Sequence, residues 1–463
     1  MDALNGKHLV ILGIARQGMA LVRFAVEAGA LVTLSDLRPA EALRDALDSL
    51  ADLPAARLRV VLGQHPPALL DGGEGFPPAD ALALSGGVPA DAPIAVEALR
   101  RGIPLTNDSL EFARRAPAPI VGITGSAGKT TTTALVGLMG QRSGRTTWIG
   151  GNIGRPLIAD LGRMSPGDLI VTELSSFQLE LWPGVPATPS PAVAAILNIT
   201  PNHLDRHKTM DRYAEAKGNI LRYQSAGDVA VLPADNDGTL AAHALVCGRL
   251  RLFSRHRPVD DGAYAHDGQI WLCDPASGPR ALCPVGDIRL RGGHNVLNVL
   301  AAAALAEAAG VPDEAIVEGI RSFSGVPHRL EIIRTVDGVQ FVNDSIATAP
   351  ERALAALAAF DEPIILLAGG RDKNMVWDEW ARRVAERVKR VVLFGDLGEP
   401  LAERLGQSVP LSRVDTLAEA VYVAQAEATA GDVVLLSPGG TSFDSYADFT
   451  ERGEHFRLLV EEL

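Results

Sequence analysis

IVGITGSAGKTTTT, residues 120–133, decides how this chain reads. A short β-branched run leads through Gly122 to Gly125 and Gly128. Lys129 and four threonines follow, and then the apolar segment ALVGLMG, which can wind as a helix. Phosphate binding asks for this order. Glycines let backbone N–H groups curl around phosphate oxygens, a helix N-terminus adds partial positive charge, and a lysine adds a full one. Gly125, Ser126, Ala127, Gly128, Lys129 and Thr131 are therefore expected around a phosphate chain, with the Thr130 hydroxyl set to ligate Mg²⁺. The strict phosphate-loop pattern needs glycine at position 123, where this chain has Ile123. Gly122 gives the variant spacing G-x-x-G-x-x-G-K-T. A glycine-rich turn without a ligand is the plainer alternative. Strand, loop, Lys-Thr and helix in the right order favour ATP.

The rest of the composition narrows the class. The 463 residues suffice for about three domains. With 47% hydrophobic and 21% charged residues the chain is ordinary globular protein, and its few aromatics leave Ala, Leu and Val to build the core. A formal net charge of −13 argues against a nucleic-acid partner. The cysteines are Cys247, Cys273 and Cys283, with no C-x-x-C pair, so neither a zinc knuckle nor a disulfide framework is expected. The start MDALNGKHLVILGIARQG does not read as a signal peptide. No run of about 18 apolar residues suggests a membrane helix. A cytoplasmic enzyme is the expectation. The sequence does not fix the oligomeric state, and a monomer is expected.

The chain reads as α/β throughout, in three segments. The first, 1–115, opens as β-α-β: HLVILG, a helical MALVRFAVEAG, then LVTLSD. Its turn, G-I-A-R-Q-G at 13–18, lacks the middle glycine of a dinucleotide fingerprint. Asp36 and Arg38 close the second strand, where they reach a ribose or a phosphate, or simply meet solvent. DALALSGGVP at 80–89 is a strand ending in a glycine turn. The basic, proline-interrupted ARRAPAPIVG marks a boundary near 115. The second segment, 116–326, starts at the phosphate loop and continues through GGNIG, the strands DLIVTELSS and VAAILNIT, and a helix over about 210–225. Strand-like pieces between 228 and 290 suggest a β-rich insertion, and GGHNVLNVLAAAALAEAAG is a helix ended by Gly310. The third, 327–463, alternates strands and helices again, as a Rossmann-like unit with a mostly parallel sheet.

Polar residues cluster just after strand runs. Glu173 ends DLIVT, one strand from the phosphate loop, where a carboxylate holds Mg²⁺ or meets solvent. His203 follows a strand in NITPNHLDRH and is either structural or a ligand. Lys217, in YAEAKGNI, reads by itself as a solvated lysine.

Together these segments resemble a known family. GITGSAGKTTTT, GGNIG, TELSSFQLE, NITPNHLDRH, YAEAKGNI, GGHNVLNVLAAAA, GVPHRLE and NDSIATAP occur in the order found in the Mur ligases, the ATP-dependent amino-acid ligases of peptidoglycan precursor synthesis. ELSSFQLE and LLSPGGTSFDSYADFTERGEHF look like the branch that adds D-glutamate to UDP-N-acetylmuramoyl-L-alanine. The resemblance implies a Rossmann-like N-terminal domain for the UDP-sugar, a central phosphate-loop ATPase-type domain, and a C-terminal Rossmann-like domain for glutamate and part of the nucleotide. It implies that Lys129 contacts ATP phosphates and that Thr130 and Glu173 hold Mg²⁺. His203 and a carbamylated Lys217 would serve a second Mg²⁺. Asn298, Arg329 and Asp344 would contact the nucleotide. Arg16, Gln17, Asp36, Arg38, Ser85, Gly86, Gly87, Asn152 and Ser175 would meet the UDP-linked substrate. Thr348, Lys373, Ser442, Phe443 and Phe449 would hold the incoming glutamate.

One departure bears on specificity. Many family members read D-S-K-A-T where this chain has DSIAT, so Ile346 stands in place of a lysine and Lys373 gains importance. The branch that uses L-glutamate stays open, as does a folylpolyglutamate synthase-like ligase, although the latter should lack the first domain. A nucleotide-binding oxidoreductase or regulatory module and a non-catalytic ATP switch are the readings from other classes. The chemistry expected of the family is activation of a carboxylate as an acyl phosphate, followed by attack of the amino acid's amine. Both steps gather negative charge, which explains cations and metals in one place.

Overall fold

In the computed structural model the described residues are 3–182, 190–290, 292–373 and 375–463. Packing divides the chain into two units, Met1–Phe323 and Ser324–Leu463. The first unit carries two sheets and the second carries one.

The first sheet contains β1 (His8–Leu12), β2 (Leu31–Asp36), β3 (Leu58–Leu62), β4 (Ala81–Leu84) and β5 (Leu105–Thr106), in the order β3-β2-β1-β4-β5, all parallel. β1 is buried on both faces, as its unbroken apolar run HLVIL requires. The order reverses beside β1, so the turns after β1 and β4 share one crevice at the carboxyl ends of the strands.

The second sheet contains β6 (Ile120–Thr124), β7 (Thr147–Gly151), β8 (Leu169–Glu173), β9 (Val193–Ile196), β10 (Val229–Pro233), β11 (Arg249–Ser254), β12 (Gly262–His266), β13 (Gln269–Asp274) and β14 (Gly278–Pro284). Its order is β14-β13-β12-β11-β10-β9-β6-β8-β7. The pieces expected as an insertion between 228 and 290 are not set apart. β10 pairs in parallel with β9, β11 and β12 continue the parallel run, and β13 alone runs opposite, pairing antiparallel with β12 on one side and β14 on the other. They widen the phosphate-loop sheet and give its long helix a second floor. That helix, Gly293–Ala308, is buried along Val299–Ala306, which explains an alanine run with no polar face. The almost fully buried Arg251 of β11 anchors it by pairing with Glu307, while its Nε donates to Asp261 at 2.9 Å.

β6 lies in the middle of this sheet and leads directly into the helix Lys129–Arg142. Small residues let neighbours close on both. A Cβ on Gly122 would lie 2.5 Å from Pro191 Cγ, and one on Gly137 would lie 2.2 Å from Ile149 Cδ1. Gly122 thus serves strand packing, and the loop proper begins at Gly125.

The third sheet contains β15 (Glu331–Val336), β16 (Val339–Asn343), β17 (Ile364–Gly369), β18 (Val388–Phe394), β19 (Leu411–Arg413) and β20 (Val433–Gly439), in the order β15-β16-β20-β17-β18-β19. Only β15 runs antiparallel. Separate apolar clusters cover its two faces, one around Trp380 and Leu366, the other around Phe456 and Leu367.

Within the first unit the two sheets are joined by buried polar contacts. Asn107 caps the helix Asp108–Ala113 and donates from Nδ2 to Gln178 O at 2.8 Å. Asp108 beside it is buried, and burial pushes its carboxyl up to about 6. Below about pH 4 the carboxyl is protonated in folded and unfolded chains alike. As pH rises toward 6 the unfolded chain ionises first, and stability is lost. Asp108→Asn should therefore stabilise the protein by roughly 1–3 kcal/mol at pH 7.5, with the gain vanishing near pH 4. Denaturant midpoints at the two pH values would show this, and a pH-independent difference would refute it.

Candidate active site

The loop Gly125–Gly128 is held from below and from the side. Asn198, two residues past β9, accepts from Ala127 N at 2.9 Å and returns a bond from Nδ2 to Ala127 O at 3.1 Å. The Ser126 hydroxyl lies 3.0 Å from Thr200 N and accepts from the Tyr213 hydroxyl at 3.0 Å. Gly128 has φ of +82°, and a Cβ there would stand 2.3 Å from Asn298 Oδ1. Glycine is thus needed both for the turn and for the approach of Asn298. A cavity of about 270 Å³ opens beside it, lined by Gly128, Asn198, Asp235, Arg255, His294 and Asn298 among others.

Two lysines converge on this loop. Lys129 Nζ donates to Gly125 O at 2.9 Å and to Ser126 O at 3.3 Å. Lys217 Nζ donates to the same Gly125 O at 2.9 Å and lies 4.7 Å from the Tyr213 ring centre. Lys217 is 1% exposed, contrary to the plain reading of a solvated helix lysine. Burial, reinforced by the Lys129 charge, lowers its ammonium to about 6, against the pull of Glu173. Its environment favours the neutral amine over the ammonium.

Glu173 is equally buried and doubly bonded. Its Oε2 accepts from the Thr130 hydroxyl at 2.9 Å and its Oε1 from Asn152 Nδ2 at 2.8 Å. β8 places the carboxylate and the phosphate-loop helix places the hydroxyl, through the parallel pairing Ile123↔Glu173. Among the described residues no group of three His, Cys, Asp or Glu side chains forms a metal cage. One carboxylate, one hydroxyl and room for phosphate oxygens suit Mg²⁺, which retains waters and takes few protein ligands. His203, with φ of +53°, precedes the short helix Leu204–His207. Its ring borders Phe177 (5.0 Å) and Tyr213 (6.4 Å), so it and Lys217 flank one aromatic ring.

The first-domain residues gather at the carboxyl ends of β1, β2 and β4. Asp36 is 6% exposed; it accepts from Ile14 N at 2.7 Å and from Arg38 Nε and Nη2 at 2.9 Å each. The Arg38 guanidinium holds its carboxyl well below the usual carboxylate range. Asp36 spends its oxygens on the turn and leaves a half-exposed Arg38 at the rim. Ser85 Oγ donates to Gly13 O at 3.0 Å, and a Cβ on Gly86 would lie 3.2 Å from Gln17 Oε1. Gly87 has open space around its Cα. Arg16 Nη2 reaches Asn152 O at 3.1 Å, which links this crevice to the Glu173 side. Ser175 caps the turn of helix after β8 in a reciprocal pair with Gln178.

The second unit brings its own set together. Asp344 follows β16, is 4% exposed, and accepts from Ser437 Oγ at 2.9 Å and Leu330 N at 3.2 Å; burial pushes its carboxyl up to about 7, with Arg329 and Arg352 opposing. Thr348 N bonds Ile346 O at 2.9 Å, and Arg352 Nη1 reaches the same carbonyl at 3.3 Å. A cation, Arg352, therefore sits beside Ile346. Lys373 lies 5.1 Å over the ring of Phe443, which is 53% exposed. Ser442 O accepts from Tyr446 N at 2.9 Å, and Phe449 O from Ser345 Oγ at 2.8 Å. Sequence reasoning missed Asn198, Tyr213, Arg352, and the pair Arg206 and His207. Only the position of Asn198, straight after an apolar strand run, offered a signal.

The profile of the Mur ligase middle domain matches residues 123–306, and that of the Mur ligase, glutamate ligase domain matches 328–440. The chain is 40% identical to the UDP-N-acetylmuramoylalanine–D-glutamate ligase of Pelotomaculum thermopropionicum, over 98% of this chain and 97% of that one. It is 41% identical to the enzyme of that name from Symbiobacterium thermophilum, over 99% and 98%. In fold it is similar to the UDP-N-acetylmuramate-alanine ligase MurC of Thermotoga maritima (TM-score 0.54, 20% identity, 98% and 99% covered). Escherichia coli FolC in complex with DHPP and ADP aligns at TM-score 0.52 and 18% identity, over 77% of this chain and 92% of that one. With two matched domains and relatives of this identity over its whole length, the chain belongs to the Mur ligase family.

Proposed function

We propose that this chain is the ligase that joins D-glutamate to UDP-N-acetylmuramoyl-L-alanine, with ATP cleaved to ADP and phosphate, in cytoplasmic synthesis of peptidoglycan precursors. The observation that carries the reading is the knot of Lys129, Thr130, Glu173 and Asn152 at one phosphate loop. It suits phosphoryl transfer. The whole-length likeness to D-glutamate ligases supports the choice of acceptor. Among the described residues no helix is long and apolar enough to cross a membrane.

A carboxylate is a poor electrophile, so the alanine carboxylate first takes the γ-phosphoryl group, giving an acyl phosphate. The glutamate amine then attacks the acyl carbon, and phosphate leaves as the amide forms. Lys129 exchanges a loop carbonyl for phosphate oxygens and counters the charge that spreads over them. Asn152 keeps Glu173 turned toward Thr130. Asn298, Arg329 and Asp344 hold the nucleotide. Arg16, Gln17, Arg38, Ser85, Gly86, Gly87 and Ser175 hold the UDP-linked substrate, with Asp36 acting through Arg38. Thr348, Lys373, Ser442, Phe443 and Phe449 hold glutamate. Thr130 and Glu173 are the donors for one Mg²⁺, and His203 with a carbamylated Lys217 for a second; bound Mg²⁺ would supply charge neutralisation at the phosphates. Carbamylation fits the buried Lys217, because only a neutral amine attacks CO₂, and the product is an anion beside Lys129.

A product assay tests the reading directly. With Mg²⁺, ATP and UDP-N-acetylmuramoyl-L-alanine, phosphate release and amide formation should follow D-glutamate and not L-glutamate; the reverse preference would move the chain to the L-glutamate branch. Lys129→Ala should lower kcat by roughly 10²–10³-fold with an unchanged melting transition. Near-normal ligation by that variant would refute the phosphate assignment.

The lysine makes a separate prediction. ¹³C-bicarbonate should give a carbamate resonance in the wild type and none in Lys217→Arg. Activity should fall when CO₂ is stripped at neutral pH and return on its addition. Activity indifferent to CO₂, with no resonance, would leave Lys217 as an amine.

A further inference from the structure

The segment after His203 contains a guanidinium that the reaction does not use. Arg206 turns away from solvent and gathers two separate stretches of chain, 86–88 and 177–180. Nη1 donates to Gly86 O at 3.0 Å and Nη2 to Val88 O at 3.0 Å, two carbonyls of one turn. Nη2 also pairs with the Glu180 carboxylate, and the guanidinium carbon lies 4.2 Å from the Phe177 ring centre. The turn it grips is closed by Val88 N on Ser85 O at 2.8 Å, and Ser85 in turn bonds Gly13 O. The grip thus reaches the crevice assigned to the uridine nucleotide. On its other side the segment is fixed as firmly. His207 is 6% exposed, with Nε2 3.0 Å from Ser176 Oγ and its ring 5.5 Å from Phe177. Phe177 also borders His203.

One planar fork bonded to two carbonyls, a carboxylate and a ring face is a set of contacts that a lysine cannot copy. A simple staple would need only one of them. We propose that Arg206 is a positioning residue that ties the Gly86–Val88 turn to the His203 segment, so that the anchored end and the reacting end of the UDP-linked substrate sit on one frame. This rests on the functional reading above. It adds a coupling: occupancy of the uridine crevice is felt at residues 203–207 through the bonds of Arg206 to the Gly86–Val88 turn.

Two experiments test it. Kinetics of Arg206→Lys and Arg206→Gln should show KM for UDP-N-acetylmuramoyl-L-alanine raised roughly 10- to 100-fold, the scale of lost charge-assisted hydrogen bonds, with KM for ATP and glutamate held. An unchanged KM for the UDP-linked substrate, or all three KM values and kcat shifting together as in general loosening, would overturn it. Hydrogen exchange on the wild type needs no variant. UDP alone should slow exchange at 85–90 and also at 203–209, and in Arg206→Lys at 85–90 only. Protection confined to 85–90 in the wild type would refute the coupling. A wild type that turns over while these results fail loses only the Arg206 assignment; a wild type without turnover fails the functional reading as well.

Discussion

One carbonyl oxygen, that of Gly125, receives two lysine side chains, and the chemistry of the site depends on how that conflict is resolved. Lys129 and Lys217 both donate to it at 2.9 Å. Two full cations at one acceptor in a dry interior repel strongly. Lys217, at 1% exposure, is the one whose ammonium is pushed down, to about 6, by burial and by the Lys129 charge. The sheet imposes this. β6 delivers the loop, the helix Met210–Arg222 delivers Lys217 from the other side, and Pro191 with Ile220 fills the space that a side chain at 122 would need. A single buried helix thereby separates the roles of two chemically identical groups.

The same economy shapes the carboxylates. Glu173 is buried but accepts two side-chain hydrogen bonds, so its oxygens are oriented before any ligand arrives. Asp36 is buried and given over to Arg38 and Ile14. Asp344 is buried and accepts from one hydroxyl and one N–H, and burial pushes its carboxyl up to about 7 against those bonds and the charges of Arg329 and Arg352. Three acids of similar burial thus differ in what they can do, through the donors their neighbours offer.

Much of this was legible in the sequence because phosphate chemistry constrains local order. The strand, the glycines, Lys129 and Thr130 lie within a dozen residues, and the alternation of apolar runs with helical stretches announced three α/β sheets. What escaped was whatever depends on distant partners. Gly122 looked like part of the phosphate pattern, yet its small size serves Pro191 and Ile220. The strands between 228 and 290 looked inserted because pairing of β10 with β9 is invisible to periodicity. Lys217 looked solvated because its helix is polar on average, and only the packing shows that its face is covered. Arg206 shares no motif with Gly86, 120 residues away, and its role exists only in the folded chain.

The overall charge appeared to oppose the function. A chain of net charge −13 is expected to bind two nucleotides and a dicarboxylic amino acid, all anions. Screening removes the difficulty. At physiological ionic strength the field of a surface charge fades within about 8 Å, so distant acids count for little. What counts is the local set of cations near each proposed site: Arg16 and Arg38 at the first crevice, Lys129 at the phosphate loop, and Arg329, Arg352 and Lys373 in the second unit. Arg352 extends that set to the turn where Ile346 stands, through its bond to the Ile346 carbonyl. Many other acids are already cancelled in surface pairs such as Glu379 with Arg382 and Glu97 with Arg100, which add nothing to the net charge.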